Sequence, residues 1–253
     1  MNDLVSIVMP SYNTARYISE SIQSVIDQTY KNWELIIVDD CSTDNTDDVV
    51  GLFNDSRIVY LKNDINSGAA VSRNRALREA KGRWIAFLDS DDIWLPEKLE
   101  KQLEFMKKND YHFSYHAYKE INEMSHSIGI RVTGPDKITK AGMFCYCWPG
   151  CLTVMYDADY VGLIQINDLK KNNDYAMWLR VISKCECFYY DNYLAKYRIR
   201  SGSISRHSKI RLIKSHYLLY RDGEECSVSK SLLITAVNIF FGMVKKVFFV
   251  KHC

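Results

Sequence analysis

The sequence lacks several features that would place it in a protein class at once. No stretch has the roughly 20 apolar residues that a membrane-spanning helix needs, and we find no secretory leader pattern, internal repeat or low-complexity linker. The formal net charge is only +2 over 253 residues, so the overall charge gives no reason to expect a nucleic-acid partner. These absences favour an ordinary globular protein of the cytoplasm, large enough to bury a full core.

The eight cysteines do not have the spacing of a zinc site. Cys145 and Cys147 are separated by one residue, as are Cys185 and Cys187, whereas zinc knuckles use two. Residues two apart share a face of a strand, so we interpret these pairs as core thiols, reduced in a chain without an export signal. Because Cys151 lies near the first pair, a metal site there stays open as an alternative.

Charge is distributed unevenly along the chain. Nine basic and three acidic residues follow residue 205, a net charge of +6, which leaves the preceding residues at −4. A basic tail on a mildly acidic body suggests an anionic surface as a partner. The tail also holds an apolar run, Leu232 to Val244, around which polar residues recur at helical spacing: Ser231, Thr235, Asn238, Gly242 and Lys245.

This helical pattern has two interpretations. An apolar helix with lysine on a narrow polar stripe is typical of helices that lie in a membrane interface, and we expect such a helix over residues 229–251. It would place the protein peripherally on the inner face of the cell membrane. The alternative is a helix that packs against the rest of the protein or against a partner chain.

Short apolar, β-branched runs alternate with helix patterns through the first hundred residues. Each run has the length of a buried strand and is followed by polar residues and then by apolar residues at helical spacing. This repeat predicts a parallel sheet with helices on both faces. The predicted strands are Val5–Met9, Glu34–Val38, Arg57–Leu61 and Trp84–Leu88.

Polar clusters follow three of these strands. Pro10 to Asn13 come after the first strand, Asp39 and Asp40 end the second, and Asp89 to Asp91 end the fourth. Ligands of open parallel sheets bind beyond the carboxyl ends of the strands. We therefore expect the three clusters to converge on one ligand site.

The acidic cluster after the fourth strand is the most informative feature of the chain. An apolar strand leads directly into Asp89, Asp91 and Asp92. A fold does not usually gather so much negative charge at the end of a buried strand unless a cation binds there. Carboxylates in this arrangement hold a hard divalent metal such as Mg²⁺ or Mn²⁺, which in turn holds a diphosphate. A cap on the next helix is the alternative, although a cap needs only one aspartate.

Four motifs, in order and with family-like spacing, resemble the family 2 glycosyltransferases of the GT-A fold. They are Pro10 to Asn13, Val38 to Asp44, Asn66 to Asn74 and Phe87 to Asp92. The resemblance extends from about Val5 to about Ser205. It implies an α/β fold of the GT-A type, with a mostly parallel, Rossmann-like sheet, and an inverting, metal-dependent transfer of a sugar from a nucleotide donor.

The resemblance also implies roles for individual residues. Asp40 stands where family members accept a hydrogen bond from the uracil ring, so the expected donor is a UDP-sugar. Arg73 offsets diphosphate charge or holds the acidic motif in place, and Asp91 with Asp89 is the expected metal site. The implied donor-binding residues are Pro10, Tyr12, Asn13, Asp40, Asn66, Gly68, Arg73, Asp89, Ser90 and Arg200.

Asp174 is the candidate general base. In the family, a Glu-Asp pair or a close variant precedes a Trp-Leu-Arg helix, and its aspartate withdraws the proton of the acceptor hydroxyl as attack proceeds. Here Asn173 replaces the glutamate, whereas Asp174 and the segment Trp178 to Arg180 match. From the residues alone, a cap on a helix from Tyr175 to Ser183 is the alternative role for Asp174.

The basic segment Lys196 to Ser205 resembles the closing segment of these enzymes. Many members carry histidine at the position of Arg200, where it assists the metal or the diphosphate. Arginine is not a metal ligand, but its guanidinium pairs with phosphate oxygens through two parallel hydrogen bonds. We therefore predict that Arg200 clamps the diphosphate, with a solvated basic loop as the alternative.

These patterns predict three parts of the chain. Residues 1–110 bind the nucleotide-sugar, residues 111–205 complete the same domain and bind the acceptor, and residues 206–253 form an amphipathic helical tail. Segments Leu152 to Tyr156, Asn173 to Arg180 and Lys196 to Arg198 most resemble the O-antigen, capsule and teichuronic acid branch of the family. The expected acceptor is therefore a saccharide on undecaprenyl diphosphate, and the expected sugar is a hexose or an N-acetylhexosamine.

Two other functions remain as alternatives to a sugar transferase. A nucleotidyltransferase of related fold would also use aspartates and a metal, but it would carry a glycine-rich, basic loop where Pro10 to Asn13 stand. A non-catalytic protein that binds sugar nucleotides would be expected to lack Asp91 or Asp174, and both are present.

Overall fold

The computed structural model describes residues 3–166, 171–200 and 209–252. In these ranges the chain forms one mixed sheet with helices on both faces. Its strands are β1 Val5–Ser11, β2 Trp33–Asp39, β3 Ile58–Lys62, β4 Trp84–Phe87, β5 Ile93–Trp94, β6 Phe113–Ile121, β7 Ser127–Val132, β8 Lys137–Ile138, β9 Met155–Asp157, β10 Cys187–Arg198 and β11 Val250–His252. Its helices are α1 Ile18–Ile26, α2 Thr46–Gly51, α3 Ala69–Glu79, α4 Lys98–Asn109, α5 Lys140–Cys145, α6 Ala158–Val161, α7 Asn173–Val181, α8 Lys209–Leu218 and α9 Val228–Phe248, with a 3₁₀ turn at Cys151–Thr153 and a π-helical turn at Leu219–Gly223.

The first four strands form the parallel half of the sheet, in the order β3-β2-β1-β4. The parallel α/β arrangement predicted for the first hundred residues is therefore confirmed. Beyond β4 the sheet continues with β9, β6, β7 and β11, which are antiparallel to their neighbours in this order, while β10 runs parallel to β6. The second half of the chain thus extends the same sheet with mostly antiparallel pairing.

Strand β1 is buried on both faces, which explains its continuous apolar sequence. Its alternate side chains serve two cores. Ile7 belongs to the core that includes Ile22 of α1, whereas Val8 belongs to the core that includes Leu77 of α3. Because β1, β2 and β4 run in the same direction, the loops that follow them lie at one edge of the sheet.

Two local predictions differ from the structure. The sequence pattern predicts a helix from Ile93 to Lys108, but the helix begins only at Lys98. Ile93–Trp94 instead pairs with β10, and the N–H of Leu95 donates to the carbonyl of Leu194 (2.9 Å). The helix expected from Tyr175 begins two residues earlier and ends at Val181. In the first case, contacts with residues distant in sequence delay the start of the helix. In the second, the local pattern defines the helix ends only to within one or two residues.

The polar side of helix α9 faces the protein, whereas an ordinary surface helix turns its polar side to solvent. Its polar stripe faces inward, with Ser231, Thr235 and Asn238 buried. Several of its apolar residues face outward, and Phe240 and Phe248 are 56% and 66% exposed, whereas Ile234, Phe241 and Val244 pack against the core. The 21-residue helix has a mean hydropathy of 1.6 in its most apolar window, so by length and composition it is long enough to cross a membrane, whereas the apolar run in the sequence looked too short.

Both ends of α9 are nevertheless tied to the body of the protein. Before the helix, the N–H of Cys226 donates to the carbonyl of Tyr220 (2.9 Å). After it, the N–H of Thr133 donates to the carbonyl of Phe249 (2.8 Å), and β11 pairs with β7. The helix therefore lies against the body of the protein, where it packs on α5, α8 and the π-helical turn.

Candidate functional site

The strand order produces a switch point between β1 and β4. The chain passes from β1 to β2 and β3 on one side, and then places β4 on the other side of β1. Ligands of such sheets bind at this point, outside the carboxyl ends of the strands. The loops after β1 and β4 meet there, because the hydroxyl of Thr14 donates to that of Ser90 (3.0 Å), and both residues are buried. Pro10 lies within β1 itself, opposite Val38 of β2.

Side-chain hydrogen bonds join the loop after β1 to the loop after β2. Asn13 has a positive φ of 50°, its N–H donates to the hydroxyl of Ser42 (2.8 Å), and its side-chain carbonyl accepts from the N–H of Thr43 (2.8 Å). Asp39 accepts from both the N–H and the hydroxyl of Ser42 (2.9 and 2.5 Å). Tyr12 remains 45% exposed on this ordered loop, so its ring is free to offer a face to a planar ligand.

Asp40 holds the loop that precedes α3. Its carboxylate accepts from the side chain of Asn63 (2.8 Å) and from the N–H groups of Ser67 (2.9 Å) and Gly68 (2.6 Å). Gly68 has a positive φ of 90°, which favours glycine, and the predicted site residue Asn66 is exposed on the same loop. These donors occupy three of the about four lone-pair positions of a carboxylate. Asp40 is 3% exposed, and its contact with a uracil ring stays a prediction.

Arg73 connects the acidic turn to the start of α7. The buried guanidinium donates to the carboxylate of Asp89 (2.5 Å) and to the side-chain carbonyl of Asn173. Burial disfavours its charged form, but the charges of Asp89 and Asp174 outweigh this cost and raise the pKa of Arg73 above its usual value. Of the two roles that the resemblance implies, this geometry is that of a residue which holds the acidic motif in place.

The acidic turn, residues 89–92, gathers carboxylates that resist ionising together. The Nε atom of Arg200 lies 2.6 Å from the carboxylate of Asp91. Burial raises the pKa of Asp91, Arg200 opposes that shift, and the charge of Asp89 adds to it. Burial and the charges of Asp91 and Asp89 raise the pKa of Asp92 well above its usual range. A bound cation would relieve this repulsion.

The donor set of the acidic turn fits a hard divalent cation. The side chains of Asp89 and Asp91 are 30% and 18% exposed, so their oxygens are partly open to solvent. Carboxylate oxygens suit Mg²⁺ and Mn²⁺. Within the residues that the structure describes, no group of three His, Cys, Asp or Glu side chains could hold a metal ion. Two carboxylates would therefore leave the remaining positions to phosphate oxygens and water.

Arg198 is a site residue that the sequence motifs do not reveal. The Nε group of this fully buried side chain donates to the backbone carbonyl of Asp91 (2.7 Å), and the backbone N–H of Arg198 donates to the carboxylate of Asp92 (2.8 Å). The other guanidinium nitrogens reach Glu20 (2.9 Å) and Ser125 (2.8 Å). Arg198 thereby anchors the acidic turn to β10 and α1. Residues 201–205 of the same basic segment lie outside the described residues.

Asp174 occupies the second position of α7. The cap position belongs to Asn172, so the capping role considered for Asp174 is wrong. The half-buried carboxylate of Asp174 accepts from the N–H of Tyr175 (2.8 Å). Burial raises its pKa, although Arg73 and the N–H of Tyr175 act in the opposite direction. A carboxylate whose pKa is raised toward the working pH is better matched to accept a proton, and its role as the base stays a prediction.

The comparison with known families identifies the chain. The profile of Glycosyl transferase family 2 matches residues 6–154, which contain all four sequence motifs. The chain belongs to this family. It is therefore a glycosyltransferase, as the resemblance predicted, and the nucleotidyltransferase and non-catalytic alternatives are set aside.

Relatives of similar length are named for teichuronic acid biosynthesis and for glucosyl transfer to a diphosphoundecaprenol acceptor, and the predicted branch of the family is confirmed. TuaG of Bacillus subtilis, named for teichuronic acid biosynthesis, is 41% identical over 231 residues, which cover 90% of this chain and 91% of TuaG. Two Escherichia coli proteins, WfgD and WfaP, are both named UDP-Glc:alpha-D-GlcNAc-diphosphoundecaprenol beta-1,3-glucosyltransferase. They are 46% and 37% identical over 80% and 99% of this chain, and over 79% and 96% of their own lengths.

Solved structures show the same fold at lower identity. Crystal structures of S. aureus TarS 1–349 in complex with UDP and with UDP-GlcNAc match 92% of this chain, with TM-scores of 0.68 and 0.69 at 21% identity. The matched regions cover 69% and 70% of those chains. The predicted glycosyltransferase family 2 fold, an α/β sheet with helices on both faces and a C-terminal helical segment, is confirmed.

Replacement of Arg198 by lysine is expected to weaken stability and donor binding together. Lysine keeps the charge but loses the planar fork that reaches the acidic turn, Glu20 and Ser125 at once. Hydrogen bonds of charged groups contribute about 1.5–3 kcal/mol each, so we expect the free energy of unfolding to fall by about 2–4 kcal/mol. Calorimetry should also show weaker UDP binding. The control is Arg16→Lys. The side chain of Arg16 is 61% exposed, so its ion pair with Glu123 contributes little to stability. An equally small effect of Arg198→Lys would contradict the anchoring role.

Proposed function

We propose that this enzyme transfers a hexose, with glucose as the leading candidate, or an N-acetylhexosamine from a UDP-sugar to a saccharide on undecaprenyl diphosphate. The transfer inverts the anomeric centre and serves the synthesis of a surface polysaccharide such as O-antigen or capsule. The names of WfgD and WfaP, which specify UDP-glucose and a diphosphoundecaprenol acceptor, support this choice, as does their identity of 46% and 37% to this chain.

One observation in the site carries the proposal. Arg73 holds Asp89 on one side and Asn173 on the other, so the acidic turn and the start of α7 form one hydrogen-bonded unit. A transferase needs a diphosphate site and a base for the acceptor close together. Asp174 follows Asn173, and its carboxylate lies near enough to Arg73 and Asp89 to feel their charges, which supports a base close to the proposed diphosphate site.

Each residue has a separate task in the proposed reaction. The free lone pair of Asp40 accepts from the uracil ring, which Tyr12 flanks, and Arg200 pairs with the diphosphate. Asp174 takes the proton of the acceptor hydroxyl as its oxygen attacks the anomeric carbon from the face opposite UDP. The new bond joins the acceptor oxygen to that carbon, the bond from the carbon to the phosphate oxygen breaks, and the configuration inverts.

Asp89 and Asp91 would hold the divalent metal, either Mg²⁺ or Mn²⁺. When bound, such a cation neutralises the charge that develops on the departing diphosphate. The protein contributes the orientation of the two carboxylates. Arg73 fixes Asp89 through its buried guanidinium, and Arg198 fixes the backbone of the turn at Asp91.

The proposed reaction predicts metal-dependent release of UDP. The purified enzyme should release UDP from UDP-glucose in the presence of Mn²⁺ or Mg²⁺ and a GlcNAc-diphospholipid acceptor, and excess chelator should abolish the release. Asp91→Ala should lower turnover by at least about a hundredfold, because removal of one electrostatic partner of a reacting group typically costs that much. Full activity in chelator or of Asp91→Ala would contradict the metal site, and release from GDP-sugars alone would contradict the uridine donor.

Asp174→Asn tests the base. The amide keeps the shape of the carboxylate but does not accept a proton, so turnover should fall by about two to four orders of magnitude, while calorimetry shows near-normal UDP binding. Asp159→Asn is a matched control, because Asp159 also lies in the first turn of a helix but is 74% exposed. Equal turnover of the two variants would contradict the assignment.

We further propose that the outward face of α9 lies on the anionic inner surface of the membrane. Helix α8, which packs against α9, also carries exposed apolar residues, and exposed lysines flank the apolar face at both ends of α9. Apolar area and basic charge both contribute to interfacial binding. Because β11 and the Cys226 contact hold both ends of the helix, α9 lies on the membrane rather than across it. The exposed residues are Leu212, Ile213, Leu232, Leu233, Phe240, Met243, Val247 and Phe248, with Lys230 and Lys246.

Vesicle sedimentation tests this membrane contact. The intact protein should pellet with vesicles of anionic lipid more than with neutral ones, and the full-length double variant Phe240→Gln, Phe248→Gln should pellet less. Both side chains are exposed, so the fold should not change. The control is Leu52→Gln, which removes an 82% exposed apolar side chain elsewhere on the surface. Equal pelleting of all three proteins would contradict a lipid-facing α9, and a concentration-dependent dimer lost in the double variant would indicate a second copy instead.

A further inference from the structure

A closed cluster of hydrogen bonds lies beside the first turn of α7. The hydroxyl of Tyr175 donates to the carbonyl of Met143 (2.6 Å), and the hydroxyl of Tyr220 donates to the carbonyl of Phe144 (2.9 Å). The two hydroxyl oxygens are 2.8 Å apart. From α9, the side chain of Asn238 donates to Tyr175 (3.3 Å) and to Tyr220 (3.2 Å). All three side chains are buried.

The two hydroxyl protons of this cluster serve three acceptor contacts. Each tyrosine hydroxyl has one proton and two lone pairs, and the amide of Asn238 has two N–H donors. The proton of Tyr220 goes to the carbonyl of Phe144, the proton of Tyr175 is shared between the carbonyl of Met143 and the hydroxyl oxygen of Tyr220, and the amide supplies one N–H to each hydroxyl. Because a buried polar group left without a partner costs about 1–3 kcal/mol, the three side chains hold each other in one arrangement.

The cluster touches the residue that orients the candidate base. Tyr175 directly follows Asp174, and its backbone N–H donates to the carboxylate of Asp174 (2.8 Å). The side chain of Tyr175 is held by Asn238 and the carbonyl of Met143, while its backbone holds the carboxylate. The anchored ring of Tyr175 restrains the backbone of α7 at this residue, and a shift of that backbone would move the donor that fixes Asp174.

Two further residues of the polar stripe of α9 pack on the segment from Tyr146 to Trp148. The Nζ group of Lys245 donates to the carbonyl of Trp148 (3.1 Å). Gly242 lies so close to Tyr146 that a Cβ atom at residue 242 would be 3.3 Å from the ring. Lys245 and Gly242 therefore face the rest of the protein. This explains why the stripe consists of polar and small residues although the other side of α9 is apolar.

We propose that α9 is a positioning element for the base. Asn238, acting through Tyr175 and Tyr220, holds the carboxylate of Asp174 in the orientation that receives the acceptor proton. This inference rests on the proposed role of Asp174. The same helix carries the proposed lipid-facing surface on its opposite side, so the base is held by the element that meets the membrane where a lipid-linked acceptor resides.

Two variants test the positioning role. Asn238→Leu removes both N–H groups at similar volume, and Tyr220→Phe removes a single hydroxyl and keeps the ring in place. With UDP-glucose and a GlcNAc-diphospholipid, each should lower kcat by about tenfold or more, because a small misplacement of a reacting group costs up to about a hundredfold. The KM for UDP-glucose should stay within about twofold of the wild-type value. The control Thr235→Val should leave kcat unchanged, because the hydroxyl of Thr235 donates within α9 itself, to Ser231 (2.7 Å).

A double-mutant cycle separates positioning from simple structural support. If Asn238 acts through the carboxylate, Asn238→Leu should have little further effect on kcat in the Asp174→Asn background. Equal fold-losses in both backgrounds would overturn the proposal. So would a lower Tm of Asn238→Leu and Tyr220→Phe with wild-type kcat of the folded enzyme. If Asn238→Leu does not fold, the cycle with Tyr220→Phe decides. A wild-type kcat for Asp174→Asn would instead overturn the base assignment, and this inference with it.

Discussion

Carboxylates at the end of a buried strand repel one another, and much of this molecule is arranged to keep the acidic turn, residues 89–92, in place. Arg73 approaches from α3, and Arg198 and Arg200 approach from the end of β10. Arginine suits this task because its guanidinium stays charged when buried and donates in several directions at once. The second half of the chain is therefore needed to build the turn that the first half supplies.

Arg73 also links the proposed metal site to the proposed base. Its guanidinium holds Asp89, a predicted metal ligand, and Asn173, the neighbour of the predicted base. The family motif has glutamate where this chain has Asn173. A neutral amide still accepts from Arg73 but adds no negative charge beside Asp174, so more of the guanidinium charge remains to stabilise the two aspartates.

Helix α9 shows why burial and polarity have to be considered together. Its polar stripe is inside, where Asn238 completes the hydrogen bonds of two tyrosine hydroxyls, and several of its apolar residues, Phe240 and Phe248 among them, are outside. An exposed apolar face of this kind is rare on a soluble monomer. It is typical of a surface that contacts a membrane or a partner. The inward polar stripe joins that surface to the segment that carries the candidate base.

The parallel half of the sheet, and the position of the polar clusters after its strands, followed from the sequence because side-chain periodicity and parallel pairing are strong local and topological constraints. The partners of Arg198 did not follow, since this side chain reaches a carbonyl 107 residues away at Asp91. Periodicity also showed that the polar residues of α9 share one face. Only the tertiary structure decided that this face packs against the rest of the protein. The sequence repeat would be the same if water, rather than the hydroxyls of Tyr175 and Tyr220, formed the hydrogen bonds of Asn238.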